Sequence, residues 1–430
     1  MDTLSIQATP YAPGQARGVL TRATAEPASN TILTVSQHEL KPFAMSCPAG
    51  VVVVDGAPLS HAMIRLLALG IPVVVATAEE ARQLPEGQEV VLDGERGRIQ
   101  SIPDDTQSRY RPPPPPPVGD VTLTTADGTR IELRASVADE RSAANARRMG
   151  ASAIGLLRSE FLTPEDGTAP DAYFYQQAIA GVCTAAKPLA VTIRLLDIAS
   201  DKTPSWLNVT RGCGTLGLQG SRLYGIEPVR SVFYAELQAI AELLPEYDIN
   251  LLLPYVVSLD EFVHWRDEIR ARLPESIAIG TMAETPAAAL EMEHWFEVAD
   301  FVAIGCNDLM QCLFAADRDL AELRPYLDAY APLLHRFMRQ LASAAGPHLD
   351  NVQICGLLPQ LPGVLPVLLG LGYRIFSIEP LLMPYLANTV RQTDLQQAEQ
   401  LATQVCSQHS ASEVRQLLGL SGKAAWSQAF

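Results

Sequence analysis

The chain has 430 residues, 48% of them apolar and 19% charged, a composition that suits two or three folded domains and excludes a disordered or fibrous protein. Its net charge of −16 and pI near 4.9 argue against broad contact with a phosphate backbone, so nucleic acid is not an expected partner; a local basic cluster would still hold one small anion. The seven cysteines are odd in number and lack C-x-x-C spacing, which disfavours a disulfide frame or a zinc site, and the start of the chain lacks a basic segment leading into an apolar one. No apolar run approaches the ~18 residues of a membrane span, so a cytoplasmic protein with no membrane partner is expected.

Residues 1–100 read mainly as strands. The runs 51–55, 71–76 and 89–92 are β-rich and separated by turn residues, and one helix, 60–69, lies between the first two, closed by Gly70 and Pro72. His61 stands in its first turn. A helix N-terminus offers unpaired N–H groups and partial positive charge, so a phosphate carried on His61 would be stabilised there. The alternative is a solvated or packed histidine, the commoner state at such a position.

Six consecutive prolines, 112–117, cannot donate backbone hydrogen bonds and are expected to form polyproline II of roughly 19 Å. Composition and periodicity change across them. The expected organisation is a small domain over residues 1–111, a linker over 112–118 and a second domain over 119–430.

Beyond the linker, eight short β-rich runs alternate with helical stretches: 131–135, 153–157, 190–195, 249–253, 277–282, 301–305, 352–355 and 374–378. One helix is expected over 285–299, and another between the third and fourth strands, over the mouth. This order predicts an α/β fold, a (β/α)8 barrel preceded by a small β-rich domain. Ser410 and Glu413 form a capping-box pattern before a last helix that stops near Gly419.

In such a barrel the strand C-termini open on one face, bringing Arg158, Arg194 with Asp197, Glu284, Asn307 with Asp308, and Cys355 to one mouth, with Arg318 in the loop after the sixth strand. Guanidinium forks match phosphate and carboxylate oxygens, so Arg158, Arg194 and Arg318 specify a small, highly anionic ligand, or else stand in structural ion pairs. Glu284 and Asp308 suit a hard cation such as magnesium, which takes one or two carboxylates plus substrate oxygens, with Asn307 as a neutral hydrogen-bond donor; helix capping is the alternative. Cys355 is either a packed thiol or a general acid tuned by these charges.

The segments Gly-Leu-Leu-Arg158-Ser-Glu160-Phe-Leu, Ile-Arg194-Leu-Leu-Asp197-Ile-Ala-Ser-Asp-Lys202, Met-Ala-Glu284-Thr-Pro, Ile-Gly-Cys-Asn307-Asp308-Leu-Met-Gln and Ala-Asp-Arg318 resemble the barrel of PEP-utilising enzymes. Asp55-Gly-Ala-Pro-Leu-Ser-His61-Ala-Met-Ile, followed by Leu-Gly-Ile-Pro, resembles the mobile phosphohistidine domain of the same family. The similarity covers nearly the whole chain, in the family's domain order, and is strongest to Enzyme I of the PEP:sugar phosphotransferase system, with PEP synthase and pyruvate phosphate dikinase more distant. It implies phosphoryl transfer from phosphoenolpyruvate (PEP) to His61 with release of pyruvate. In that scheme Glu284 and Asp308 hold magnesium, while Arg158, Arg194, Arg318 and Asn307 bind the substrate. Cys355 protonates the enolate, and the barrel forms a homodimer.

The chain departs from the family pattern in two places. The helical domain with which Enzyme I docks its phosphocarrier protein has no room between the opening β segment and Val51, so a phosphoryl acceptor, such as a separate protein, would have to bind differently or be docked by another chain. Leu59 and Leu67 replace a threonine and an arginine flanking the histidine, Leu357 replaces the Glu or Gln after Cys-Gly, and Gln219 replaces an arginine, although Arg222 remains. These changes leave two other readings open: a PEP- or pyruvate-binding regulatory protein, and a metal-dependent barrel lyase acting on a pyruvate-like enolate.

Overall fold

The computed structural model describes residues 5–22, 28–40, 47–58, 60–101, 122–199, 202–207 and 216–420; the proline run and Leu59 lie outside them. The first sheet contains β1 (Ser5–Gln7), β2 (Thr9–Ala12), β3 (Gln15–Arg22), β4 (Thr31–Ser36), β5 (Gly50–Val54), β6 (Val73–Ala76), β7 (Glu89–Asp93) and β8 (Arg98–Ser101). Their spatial order is β1-β8-β7-β3-β4-β5-β6-β2. The central pairs β3–β4, β4–β5 and β5–β6 are parallel, and the edges are antiparallel. Valines at 51–53 and 73–74 are fully buried, as β-branched residues in a doubly covered parallel core should be.

The helix His61–Ala68 makes the crossover from β5 to β6. Ser60 caps it by accepting from the Met63 N–H, and Gly70 beyond its end takes φ +69°, the left-handed turn expected there. The expected strand runs are present, while β4 and β8 are additions.

The second sheet is a closed parallel barrel: β10 (Arg130–Val137), β11 (Ile154–Arg158), β12 (Val191–Arg194), β13 (Ile249–Leu253), β14 (Ile279–Ala283), β15 (Val302–Gly305), β16 (Val352–Cys355) and β17 (Ile375–Ile378). β10 pairs with both β17 and β11, which closes the ring, and the short β9 (Leu123–Thr124) adds antiparallel to β10. All eight expected strands are found. The helix expected over 285–299 is instead two, Pro286–Leu290 and Met292–Trp295, parted at Glu291, whose φ/ψ of −81°/10° leaves the α region. The helix Val229–Leu243 fills the gap between β12 and β13 and packs on the helix Ala172–Ala186.

Inside the barrel, Leu156, Leu252, Met282, Ala303 and Cys355 form one buried layer. Side chains alternate along a strand, so residues two steps beyond this layer rise above it toward the C-terminal mouth, and Arg158 and Glu284 stand at those positions. The barrel thereby supplies an apolar floor beneath the charged groups. At the C-terminal end, Ser410 and Glu413 make the expected capping box of the helix Ala411–Leu417.

Candidate active site

One cavity of about 50 Å³ at the barrel mouth is lined by Arg158, Arg194, Lys202, Glu284, Asn307, Asp308, Arg318 and Cys355 over apolar walls. The expected barrel residues Arg158, Arg194, Glu284, Asn307, Asp308, Arg318 and Cys355 therefore line one cavity, and Asp197 stands behind the lining, paired with Arg194. The remaining expected residue, His61, begins the helix whose Ile64 forms part of the same wall. The small domain is thus docked on the mouth, with the Arg65 guanidinium 5.1 Å above the Phe161 ring of the barrel rim.

Each cation is held by a second group. Arg158 Nη2 donates to Glu379 Oε1 at 2.8 Å, and both side chains are buried. Arg194 is paired with Asp197 at 3.0 Å and also with Glu160. Burial alone disfavours the Arg194 charge, but Asp197, Glu160, Glu284 and Asp308 outweigh it and push its pKa above the ordinary arginine value. Arg318 reaches Asp308 at 3.2 Å, and its backbone N–H donates to Gln311 Oε1. Lys202 is paired with Asp197.

The two candidate metal ligands are fixed as tightly. Glu284 Oε1 accepts the Tyr255 backbone N–H at 2.7 Å, delivered by a non-glycine residue at φ +53°. Such a left-handed residue costs ~1–3 kcal/mol and persists only where its surroundings impose it. A Cβ on Gly305 would lie 2.7 Å from Glu284 Cβ and 2.8 Å from Oε2, so only glycine leaves that carboxylate its place. Burial, followed by the like charges of Asp197 and Asp308, raises Glu284 to about 8, with Arg194 and Lys202 opposing.

Two crowded carboxylates are the donor set that a hard cation relieves while completing its shell from substrate oxygens. Among the described residues, no group of three or more His, Cys, Asp or Glu side chains forms a self-sufficient metal cage. The residues present therefore fit magnesium shared with a ligand.

Asn307 Oδ1 accepts the Leu357 N–H at 3.0 Å. Gly356, at φ +95°, permits this approach, since a Cβ there would be 2.8 Å from the same oxygen. Leu357 itself is buried, so its backbone positions Asn307 while its side chain packs in the core. Gln353 Nε2 donates to Cys355 Sγ at 3.1 Å, and burial pushes the thiol up to about 11 against Gln353, Arg194 and Arg158, which keeps it protonated at neutral pH. Arg222 is absent from the lining, lying over the Tyr255 ring and beside Glu261.

Sequence reasoning missed several contributors. Lys202 carried a signal, since it lies five residues past Asp197 in the quoted motif. Glu379 and Ile64 carried none, because their roles exist only once β17 closes the ring and the small domain docks. The substitution at Leu67 also looks different in three dimensions: Leu67 is buried in the core, while Arg65 follows one turn after His61 in the same helix.

Residues 117–395 match the model of the PEP-utilising enzyme PEP-binding domain, and residues 36–97 match that of the PEP-utilising enzyme mobile domain. The chain belongs to the PEP-utilising enzyme family. It is 30% identical over 389 residues to the phosphoenolpyruvate-protein phosphotransferase of Haloferax volcanii, covering 86% of this chain and 68% of that one. It is 29% identical over 391 residues to multiphosphoryl transfer protein 1 of Escherichia coli K12, covering 86% and 47%, and 30% identical to the multiphosphoryl transfer protein of Xanthomonas campestris, covering 86% and 46%. The chain thus spans about half the length of these multiphosphoryl relatives. The PEP-binding match contains every charged group of the mouth, and the mobile-domain match contains His61 with its helix.

Proposed function

We propose that this protein transfers the phosphoryl group of phosphoenolpyruvate to His61, releasing pyruvate, and passes it on to a separate protein acceptor. The observation that carries this reading is the single cavity, in which four cationic side chains and two carboxylates surround a protonated thiol beneath the helix that begins at His61. Phosphoenolpyruvate is small and multiply anionic, and its transfer demands charge neutralisation rather than elaborate covalent chemistry.

Arg158, Arg194 and Arg318 hold the phosphoryl and carboxylate oxygens, and Asn307 adds a neutral donor through its amide nitrogen. Glu284 and Asp308 would hold magnesium, which would supply charge stabilisation for the phosphoryl oxygens. A ring nitrogen of His61 attacks phosphorus in line. The N–P bond forms as the P–O bond to the enol carbon breaks, leaving the electron pair on pyruvate enolate. Cys355 then gives its proton to the methylene carbon, and the thiolate recovers a proton from solvent. Residues 1–111 act as the mobile phosphohistidine domain, 112–118 as the linker and 119–430 as the PEP-binding barrel. The working protein is a cytoplasmic homodimer joined through its barrels.

The test is incubation with magnesium and phosphorus-labelled phosphoenolpyruvate, with His61→Ala as control. Acid-labile label that requires His61, accompanied by pyruvate, supports the proposal. Binding without label would favour a regulatory protein, and carbon–carbon cleavage products without label would favour a lyase.

A further inference from the structure

One buried carboxyl near the mouth has no part in the chemistry above. Glu236 lies on the helix Val229–Leu243, outside the strand ring, yet it is fully buried. Its Oε2 accepts the backbone N–H of Leu196 at 3.0 Å. The carbonyl of the same residue accepts the Tyr224 hydroxyl at 2.9 Å. The Tyr224 ring is stacked on Phe233 at 4.1 Å, and Phe233 stands on the same helix, three residues before Glu236. Leu196 is thus gripped at both ends of its backbone by one helix and the turn packed on it. It lies between Arg194 and Asp197, which pair with each other and, through Asp197, with Lys202.

We propose that Glu236 is a positioning residue for phosphoryl transfer: by clamping the Leu196 peptide from behind the barrel, it aims Arg194 and the Asp197–Lys202 pair at the phosphoryl group. The proposal rests on the PEP phosphotransfer reading for its activity readout. Beyond Leu195, whose N–H still donates to the Leu252 carbonyl of β13 at 3.0 Å, the backbone leaves the strand ladder, and a small error in arginine placement is costly: ~1 Å of displacement removes roughly 10²-fold in rate.

The protonation state of Glu236 adds a second readout. The groups facing its carboxyl are the Ser159 hydroxyl, Glu160, Tyr175 and Tyr224, with Arg194 and Asp197 beyond Tyr224. Burial raises the carboxyl to about 7, the nearby Ser159 hydroxyl and the bond from Leu196 oppose the rise, and Glu160 adds to it. Below that pH the neutral acid accepts from Leu196 and can donate with its other oxygen. Above it, a second buried negative charge stands beside Glu160, the partner of Arg194, and repels it.

The experiment compares the wild type with Glu236→Gln, Glu236→Ala and Tyr224→Phe, reading pyruvate release across pH and hydrogen exchange of the Leu196 amide. Glutamine keeps both the acceptor and a neutral donor. Glu236→Gln should retain Leu196 protection and activity at about pH 6.5, and should lack the decline expected of the wild type above about pH 7. Every other titrating group is common to the two proteins. Glu236→Ala should lower kcat by roughly 10–100-fold and expose the Leu196 amide. Tyr224→Phe should act in the same direction with a smaller effect.

Unchanged amide protection in Glu236→Ala would overturn the proposal, whatever the activity. So would a Glu236→Gln protein as impaired as Glu236→Ala, since the ionised carboxylate, or a cation bound to it, would then be the working species. Failure of the wild type to release pyruvate would instead overturn the phosphotransfer reading and leave the exchange result intact.

Discussion

The two halves of the candidate site are built on different principles. At the barrel mouth each charged group ends or follows a strand, and most are pinned by a second residue: Arg158 by Glu379, Arg194 by Glu160 and Asp197, Glu284 by the Tyr255 N–H, Asn307 by the Leu357 N–H. The opposing half is a single two-turn helix on the small domain. It is capped by Ser60, and the loop before it is tied down by the Tyr11 hydroxyl donating to the Pro58 carbonyl and the Ala57 N–H donating to Gln37. The barrel half is pre-organised at the cost of several buried charges. The helix half meets it at Ile64 in the cavity wall, at Arg65 over Phe161 and against the turn Pro380–Leu382, and apolar residues of the small domain join those of the barrel in one buried cluster. A fixed electrostatic cradle faced by a separate carrier arm is the division of labour that the proposed phosphoryl transfer requires.

The largest expected effect comes from breaking the rigid half. Arg194→Ala leaves Glu160 and Asp197 buried without their guanidinium, which should cost about 3–5 kcal/mol in chemical denaturation. The same change should lower PEP-dependent pyruvate release by roughly 10³-fold. If stability and rate both survived, the cradle would not depend on buried pairing.

Next in size is Gly305→Ala, which adds one methyl group. Its Cβ would sit against Glu284, so the carboxylate must shift; activity should fall by roughly 10²-fold while circular dichroism stays that of the wild type. A wild-type rate in this protein would mean that Glu284 is not held to a single position.

The smallest effect belongs to the arm. Arg65→Ala removes a cation–ring contact worth about 0.5–1 kcal/mol, so labelling of His61 should slow a few-fold while PEP affinity for the barrel stays unchanged. An equal loss of affinity would show that Arg65 belongs to the cradle instead, and the contrast between the halves would blur.

Legibility in the sequence follows the same division. The eight barrel strands were readable because short β-rich runs between helical stretches have few alternatives, and strand C-termini name their own mouth residues. Strand β4 was not readable: Thr31, Thr34 and Ser36 interrupt its apolar residues, and burial on both faces erases any alternation. The helix expected over 285–299 had a continuous apolar pattern, and its break at Glu291 carries no proline or glycine to announce it. Glu236 looks like a solvent-facing residue on an amphipathic helix, and only the packing of that helix behind β12 turns it inward. Local spacing reaches the first set of site residues, whereas the groups that hold them, Glu379, Gln353 and the Tyr255 N–H, depend on closure of the ring.

Titration of phosphoenolpyruvate into the His61→Ala protein, followed by calorimetry with and without magnesium, tests the cradle without phosphoryl transfer. Binding should be tight with magnesium, much weaker without it, and abolished when Glu284→Gln is added. Affinity indifferent to both the metal and Glu284 would contradict the account.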